Sequence, residues 1–473
     1  MIAATGHGGV RRDPFTLGVA SGEPWPDSVV LWTRLAPRPL DPSGGMDGRA
    51  RDVHWQIAAD PAMTRVVRHG HALARPELAH SVHVTAAGLL PGRDYWYRFR
   101  TGPWLSPIAR TKTAPAPGAP ARRLDFAAAS CQRWNDGLYT AHRHLAAEDL
   151  DVVLFLGDYV YEHAIDDGVR VPPTELATEG DSLERYRLRY ALYKRDPDLQ
   201  AAHHSAPWIV TWDDHEVVND YASDSIAAAR RAGAYQAFWE HQPLRVPSPR
   251  RSGVSMHRRF AFGSLAALHV LDTRQHRARP VAGGHWQRDS PSRRDPQRSV
   301  LGPDQEEWLA RGLTESSATW NVLAQQVVAG RMDLDPTAGE LFNADAWDGY
   351  PAAQRRFHRE LARAGNPVVL TGDVHAGCAL DIGLDRVPIA VELAATSISS
   401  GGDGDVILPT GQRLLAANPH LRYVNQRRGY LRCRLTPAQL TADFRTVPFV
   451  SRPGAPVATH RSLSVPAGAR HLV

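Results

Sequence analysis

Residues 152–156, Val-Val-Leu-Phe-Leu, form an unbroken apolar run between Asp151 and Gly157. A run without polar alternation predicts a strand buried on both faces, against helices or a second sheet. Residues 124–131 read as another strand, and residues 138–148 between the two have helical spacing. Together they make a β-α-β unit, which predicts a layered sheet with right-handed crossovers. Helical patterning returns at residues 182–194 and 227–241, and strand patterning at 208–212, 265–272, 321–328, 367–371 and 387–395. Before residue 113 the pattern differs: short β-branched or aromatic runs at 28–33, 81–85 and 95–99 are punctuated by Gly, Pro and Asp, an all-β signature.

Residues 88–95 resemble the tyrosine corner of fibronectin-type sandwiches, with Tyr95 at the corner. The division expected is a β-sandwich over residues 1–113, a Pro/Ala linker over 114–122, and an α/β region over 123–473. Residues 277–298, rich in Arg, Gly, Pro and Ser, read as a surface loop or flexible insertion.

At 473 residues, two domains are the expectation, and 43% apolar with 22% charged residues is ordinary globular composition. The net charge is only +5, and no basic run is interleaved with aromatics, so nucleic-acid recognition is not expected. Three cysteines, Cys131, Cys378 and Cys433, make no disulfide framework. No stretch is long and apolar enough for a membrane span, and a monomer is expected. Residues 1–10 lack the apolar core of an export signal, leaving cytoplasmic location and removal of a signal both open.

Four predicted strand ends carry metal-ligand side chains: Cys131; Asp158, Tyr161 and Glu162; Asp213, Asp214 and His215; and Asp373 and His375. Taken singly, each has a plainer reading as a capping Asp, a core thiol or a structural His. Repetition at equivalent ends favours metal binding. Thiolate, phenolate, imidazole and carboxylate suit a ferric or similarly Lewis-acidic ion. Asp214, Asn219, Asp373 and Glu162 offer oxygens to a harder ion such as calcium, magnesium or manganese. A shared carboxylate, with Asp158 the natural candidate, would hold two ions roughly 3.5–4 Å apart, as in phosphoryl-transfer sites.

The ordered motifs Ser-Cys-Gln, Gly-Asp-Tyr-x-Tyr-Glu, Trp-Asp-Asp-His-Glu, Leu-Asp-Thr-Arg-Gln and Thr-Gly-Asp-Val-His resemble the alkaline phosphatase D (PhoD-like) family of metallophosphoesterases. The resemblance covers nearly the whole chain, from Asp13 to Tyr430. It implies an α/β, calcineurin-like two-sheet αββα sandwich preceded by a small fibronectin/Ig-like β-sandwich. By the same resemblance Cys131, Asp158, Tyr161 and His375 bind ferric iron, with Asp158 bridging to one or two calcium ions held by Asp214, Asn219 and Asp373. Other divalent ions are alternatives at the second site. His215 contacts the transition state, and a Gln325-Gln326 pair stands where related phosphatases supply another His. Arg133 and Arg274 are candidates for binding substrate phosphate, against the plainer reading of surface arginines.

The activity implied is hydrolysis of phosphate esters, monoester or diester, by attack of metal-bound hydroxide. The alternatives are a phospholipase D-like phosphodiesterase and a non-catalytic cell-surface binding protein. The substrate is then a small molecule, a lipid headgroup or a polymer. The resemblance also implies a periplasmic or secreted enzyme exported by a twin-arginine signal, although no apolar segment follows Arg11-Arg12.

Overall fold

The computed structural model describes residues 10–166, 168–223, 225–249, 254–281, 284–335, 337 and 339–473. The expectation for residues 1–9 lies outside these. Two large sheets face one another across an apolar layer, and helices cover both outer faces, the αββα architecture that the resemblance implies. Val152–Leu156 shows why its sequence is continuously apolar. Val152, Leu154 and Leu156 enter the core between the sheets, while Val153 and Phe155 enter the core beneath the helices. In the second sheet Pro367–Thr371 divides its side chains similarly, Val368 and Leu370 to the shared core and Val369 to the outer one.

The first sheet has nine strands. Leu124–Ala129, Val152–Leu156 and Trp208–Thr211 run parallel at its centre. On one side Arg428–Leu435, Gln439–Val447 and Ala458–Pro466 extend it. On the other, Val19–Gly22 pairs parallel with Trp208–Thr211, then Ser28–Arg34 and Ser81–Ala87 follow antiparallel. The early strands therefore do two jobs. They extend the central sheet, and they pack against the five-stranded sheet built around Arg51–Ala58 and Asp94–Thr101. At the tyrosine corner the Tyr95 hydroxyl accepts the amide of Leu90 at 2.9 Å.

Ala266–Val270, Trp320–Ala324, Pro367–Thr371 and Val387–Ala394 are the parallel centre of the seven-stranded second sheet. The strand expected over 321–328 stops at Ala324, where Gln325 and Gln326 turn into hydrogen bonds of their own. Residues 277–298 are not simply a loop. Arg277 is buried, and Trp286–Arg288 pairs antiparallel with Leu341–Asn343. Helices Pro197–Ser205, Pro303–Glu315, Pro351–Arg363 and Pro409–Ala417 went unassigned from the pattern, though each opens with a proline, which suits the first helical turn. Among the described residues no helix is long and apolar enough to cross a membrane.

Candidate metal centre

The C-terminal ends of the parallel strands meet along one rim. A bridge between Ser130 and Ser397 joins the sheets there, and the carbonyls of Ser130 and Cys131 accept the Ile398 amide. Cys131, Asp158, Asp373 and His375 all take left-handed backbone conformations at this rim, with φ of 58, 57, 63 and 50°. Such conformations cost a non-glycine residue on the order of 1–3 kcal/mol and concentrate at functional sites. Their occurrence at three neighbouring strand ends points to a demand for side-chain placement there.

Glu216 holds much of this rim. Its buried carboxylate accepts the amides of Asp158 (3.1 Å), Tyr159 (2.6 Å) and Asp213 (2.8 Å). Gly157, at φ 106°, allows the close approach, since a Cβ there would lie 2.4 Å from the Asp213 Cβ.

The donor atoms of Cys131, Asp158 and His375 lie within 4.8 Å of one another. Tyr161 joins them: its hydroxyl donates to Asp158 Oδ2 at 2.8 Å, lies 3.3 Å from His375 Nε2 and accepts from Ser400 Oγ at 2.8 Å. The donor atoms of Asp158, Asp214 and His215 also lie within 4.8 Å of one another, as do those of Asp214, Asp220 and Asp345. Asp158 and Asp214 thus link three donor groups into one string. Asp158 Oδ1, Asp213 Oδ2 and Asp214 Oδ1 are buried without a hydrogen-bond partner. Orphaned buried carboxylate oxygens within a cluster of donors are the pattern a cation satisfies.

The electrostatics agree. Burial, then the Asp158 charge, pushes the Cys131 thiol and the Tyr161 phenol well up. Asp158 is itself pushed up by burial and by Asp214 and Asp213, against the pull of His215. Burial, then Asp213 and Asp345, raises Asp373. Burial also raises Asp214, but Arg274 and then His215 outweigh it and hold that carboxyl low. For His215 burial opposes the charged form, yet Asp214, Asp158 and Glu162 together keep the imidazolium. Burial, followed by Arg428, lowers His375 to about 3, leaving a neutral ring able to act as a ligand.

Glu162, one of several oxygen candidates from sequence, has a definite place. Its Oε2 is 2.7 Å from His215 Nδ1, and its Oε1 accepts the Asn219 amide at 2.8 Å. The His215 ring packs on Tyr161 with centroids 4.1 Å apart. Asn219 itself is exposed, and its neighbour Asp220 belongs to the acidic group. Asp373 lies on the rim beside His375 but outside the three donor groups.

Arg274 departs from the sequence expectation. It is fully buried, so it does not present a guanidinium to a phosphate in solution. Its Nε donates to Asp213, its Nη1 to Asp345 Oδ1 at 2.9 Å, and its Nη2 lies 3.6 Å from Asp214 Oδ2. Arg277 adds a second bond to Asp345 at 2.8 Å. Arg274 gathers acidic side chains that would otherwise repel. Arg274→Met is expected to lower stability by about 3–5 kcal/mol in chelator-treated protein, because carboxylates remain buried without their counter-charge; urea unfolding measures it. Arg133 differs, with a side chain 29% exposed and its Nη1 and Nη2 each 3.6 Å from a carboxylate, Asp136 and Asp166 respectively.

The glutamines do not substitute for a histidine. Gln325 bonds Thr371, Val327 and Trp347, and Gln326 bonds Thr211, Leu271 and Thr273. Sequence reasoning also missed Glu216, Asp220, Asp345 and Arg428. Arg428 donates to the His375 carbonyl at 3.0 Å and the Ser400 carbonyl at 2.8 Å, so it fastens two sides of the rim. Only Glu216 had a signal, its place in the Trp-Asp-Asp-His-Glu motif.

Residues 126–444 match the family model of the PhoD-like phosphatases, and residues 3–115 match that of the PhoD-like phosphatase N-terminal domain. The chain is 46% identical over 468 residues to alkaline phosphatase D of Bacillus subtilis (strain 168), covering 95% of this chain and 80% of that protein. A solved structure described as that of PhoD superposes with a TM-score of 0.95 at 44% identity, covering 98% of this chain and 92% of the other.

Proposed function

The chain belongs to the PhoD-like phosphatase family, and from that membership we propose that it hydrolyses phosphate esters with metal ions held at the rim described above. The observation that carries the metal requirement is Asp158, a buried carboxylate common to two donor groups with one oxygen unpartnered. Cys131, Asp158, Tyr161 and His375, a thiol, a carboxylate, a phenol and an imidazole, suit a ferric or similarly Lewis-acidic ion. The oxygen-rich string of Asp158, Asp214, Asp220 and Asp345, with Asp373 and Asn219 nearby, suits calcium or another hard divalent ion. When bound, such ions acidify water and neutralise phosphoryl oxygens.

The chain's own groups do the rest. His215, favoured in its charged form by Asp214, Asp158 and Glu162 and oriented by Glu162, delivers a proton to the departing ester oxygen. Arg133 offers its partly exposed guanidinium to the non-bridging phosphate oxygens. Glu216 and Arg274 hold the donors in place. A periplasmic or secreted place of action belongs to the same proposal.

Metal analysis with an optical spectrum tests the first site. Iron together with a visible phenolate- and thiolate-to-iron band is expected, and Tyr161→Phe should shift or abolish the band. Full activity in a colourless, iron-free protein would overturn the assignment. Rates on a phosphomonoester and a bis-aryl phosphodiester, with and without a calcium chelator, assign the ester class and the need for the second ion.

A further inference from the structure

Next to the donor string lies a cavity of about 290 Å3 whose wall includes Asp373 and His375. Most of the remaining wall is apolar: Val328, Met332, Ala376, Leu414 and Val424, with the indole of Trp286 left 39% exposed. Trp286 stands on the short strand Trp286–Arg288, and the preceding His285 lies 3.4 Å from Asp220 of the acidic group. The strand is therefore tied against the metal-ligand end of the cavity.

Three polar side chains on the wall each have one oxygen already committed. Asn343 Oδ1 accepts the Asp345 amide, Asp348 Oδ2 the Met332 amide, and Gln426 Oε1 the Leu408 amide. An apolar guest gains from leaving water against the apolar part of this wall. The volume lies at the bottom of the range for small-molecule sites, about 300–1,000 Å3. It suits one ring on a short linker.

We propose that this cavity is the subsite for the alcohol portion of the phosphate ester, and that it selects an apolar, ring-sized group. The inference rests on the phosphoesterase reading and adds the class of ester to it. Trp286, on the short strand, and Leu414, on helix Pro409–Ala417, line it and are its specificity-determining residues.

The test compares 3-phenylpropyl phosphate with glycerol phosphate, both esters of primary alcohols, so that leaving-group chemistry is nearly matched. The purified, metal-loaded protein is expected to favour the phenylpropyl ester at least about tenfold in kcat/KM. Trp286→Ala and the cavity-filling Leu414→Trp should each reduce that preference several-fold. Calorimetric binding of 3-phenylpropylphosphonate against methylphosphonate reads the same preference without turnover. A parent preference below about threefold in both measurements, or one that both variants leave intact, overturns the inference. Glycerol phosphate turnover in that case leaves the phosphoesterase reading standing. Preferential phosphonate binding without turnover of any ester would uphold the cavity assignment and sink the catalytic reading.

Discussion

Asp158→Asn is expected to lower kcat by on the order of 10³-fold and, in the same preparation stripped of metal, to raise the melting temperature. Both effects come from one geometric fact. Asp158 belongs to the group with Cys131 and His375 and to the group with Asp214 and His215, and its Oδ1 has no protein partner. An amide keeps the shape and still accepts the Tyr161 hydroxyl, but it lacks the charge and one of the two oxygens through which a carboxylate serves two neighbours. Without a cation the ionised form is disfavoured by burial and by Asp214, Asp213 and Glu216, which outweigh the pull of His215. The amide should stabilise the stripped protein by about 1 kcal/mol. Steady-state rates in metal and thermal melts in chelator make the two measurements. A variant with parental kcat would remove Asp158 from the centre, and a lower melting temperature would show that its role is structural.

His215→Ala carries the second large effect, a loss in kcat of about 10²- to 10⁴-fold with little change in KM. The imidazole is held from behind by Glu162, which is itself pinned by the Asn219 amide. Glu162→Gln should therefore give a smaller loss, about 10- to 100-fold, because the ring remains but is held less firmly. Leaving-group dependence separates this role from a purely structural one. If His215 protonates the departing oxygen, the loss should shrink for an ester whose alcohol leaves readily without a proton. An equal loss for poor and good leaving groups would reject the general-acid assignment.

The rim was legible in sequence where its signals were local. Val152–Leu156 announces burial on both faces, and the side chains directly after a buried strand must appear at its rim, so Cys131, Asp158, Asp214 and His375 could be gathered from strand ends alone. Asp345 was hidden because it follows the three-residue strand Leu341–Asn343 rather than a long apolar run. Arg274 looked like a phosphate binder because an arginine beside a catalytic motif gives no hint of whether solvent or three carboxylates will surround it. Glu216 lay inside a recognised motif, yet its task is to accept amides from two different strand ends, a long-range relation with no periodicity. The shared use of Val19–Gly22 was equally invisible, since pairing partners nearly 190 residues apart leave no mark on either segment.

That sharing has a kinetic consequence. The nine-stranded sheet takes three strands from residues 19–87 and three from residues 428–466, on opposite sides of its parallel centre. Loop-closure entropy must be overcome over very long separations before the sheet is complete, which places the protein among slowly folding topologies. A nascent chain that ends before residue 428 lacks the strand covering Leu124–Ala129 and the arginine fastened to the His375 carbonyl. Completion of the metal-ligand rim therefore depends on the C-terminal strands joining the sheet.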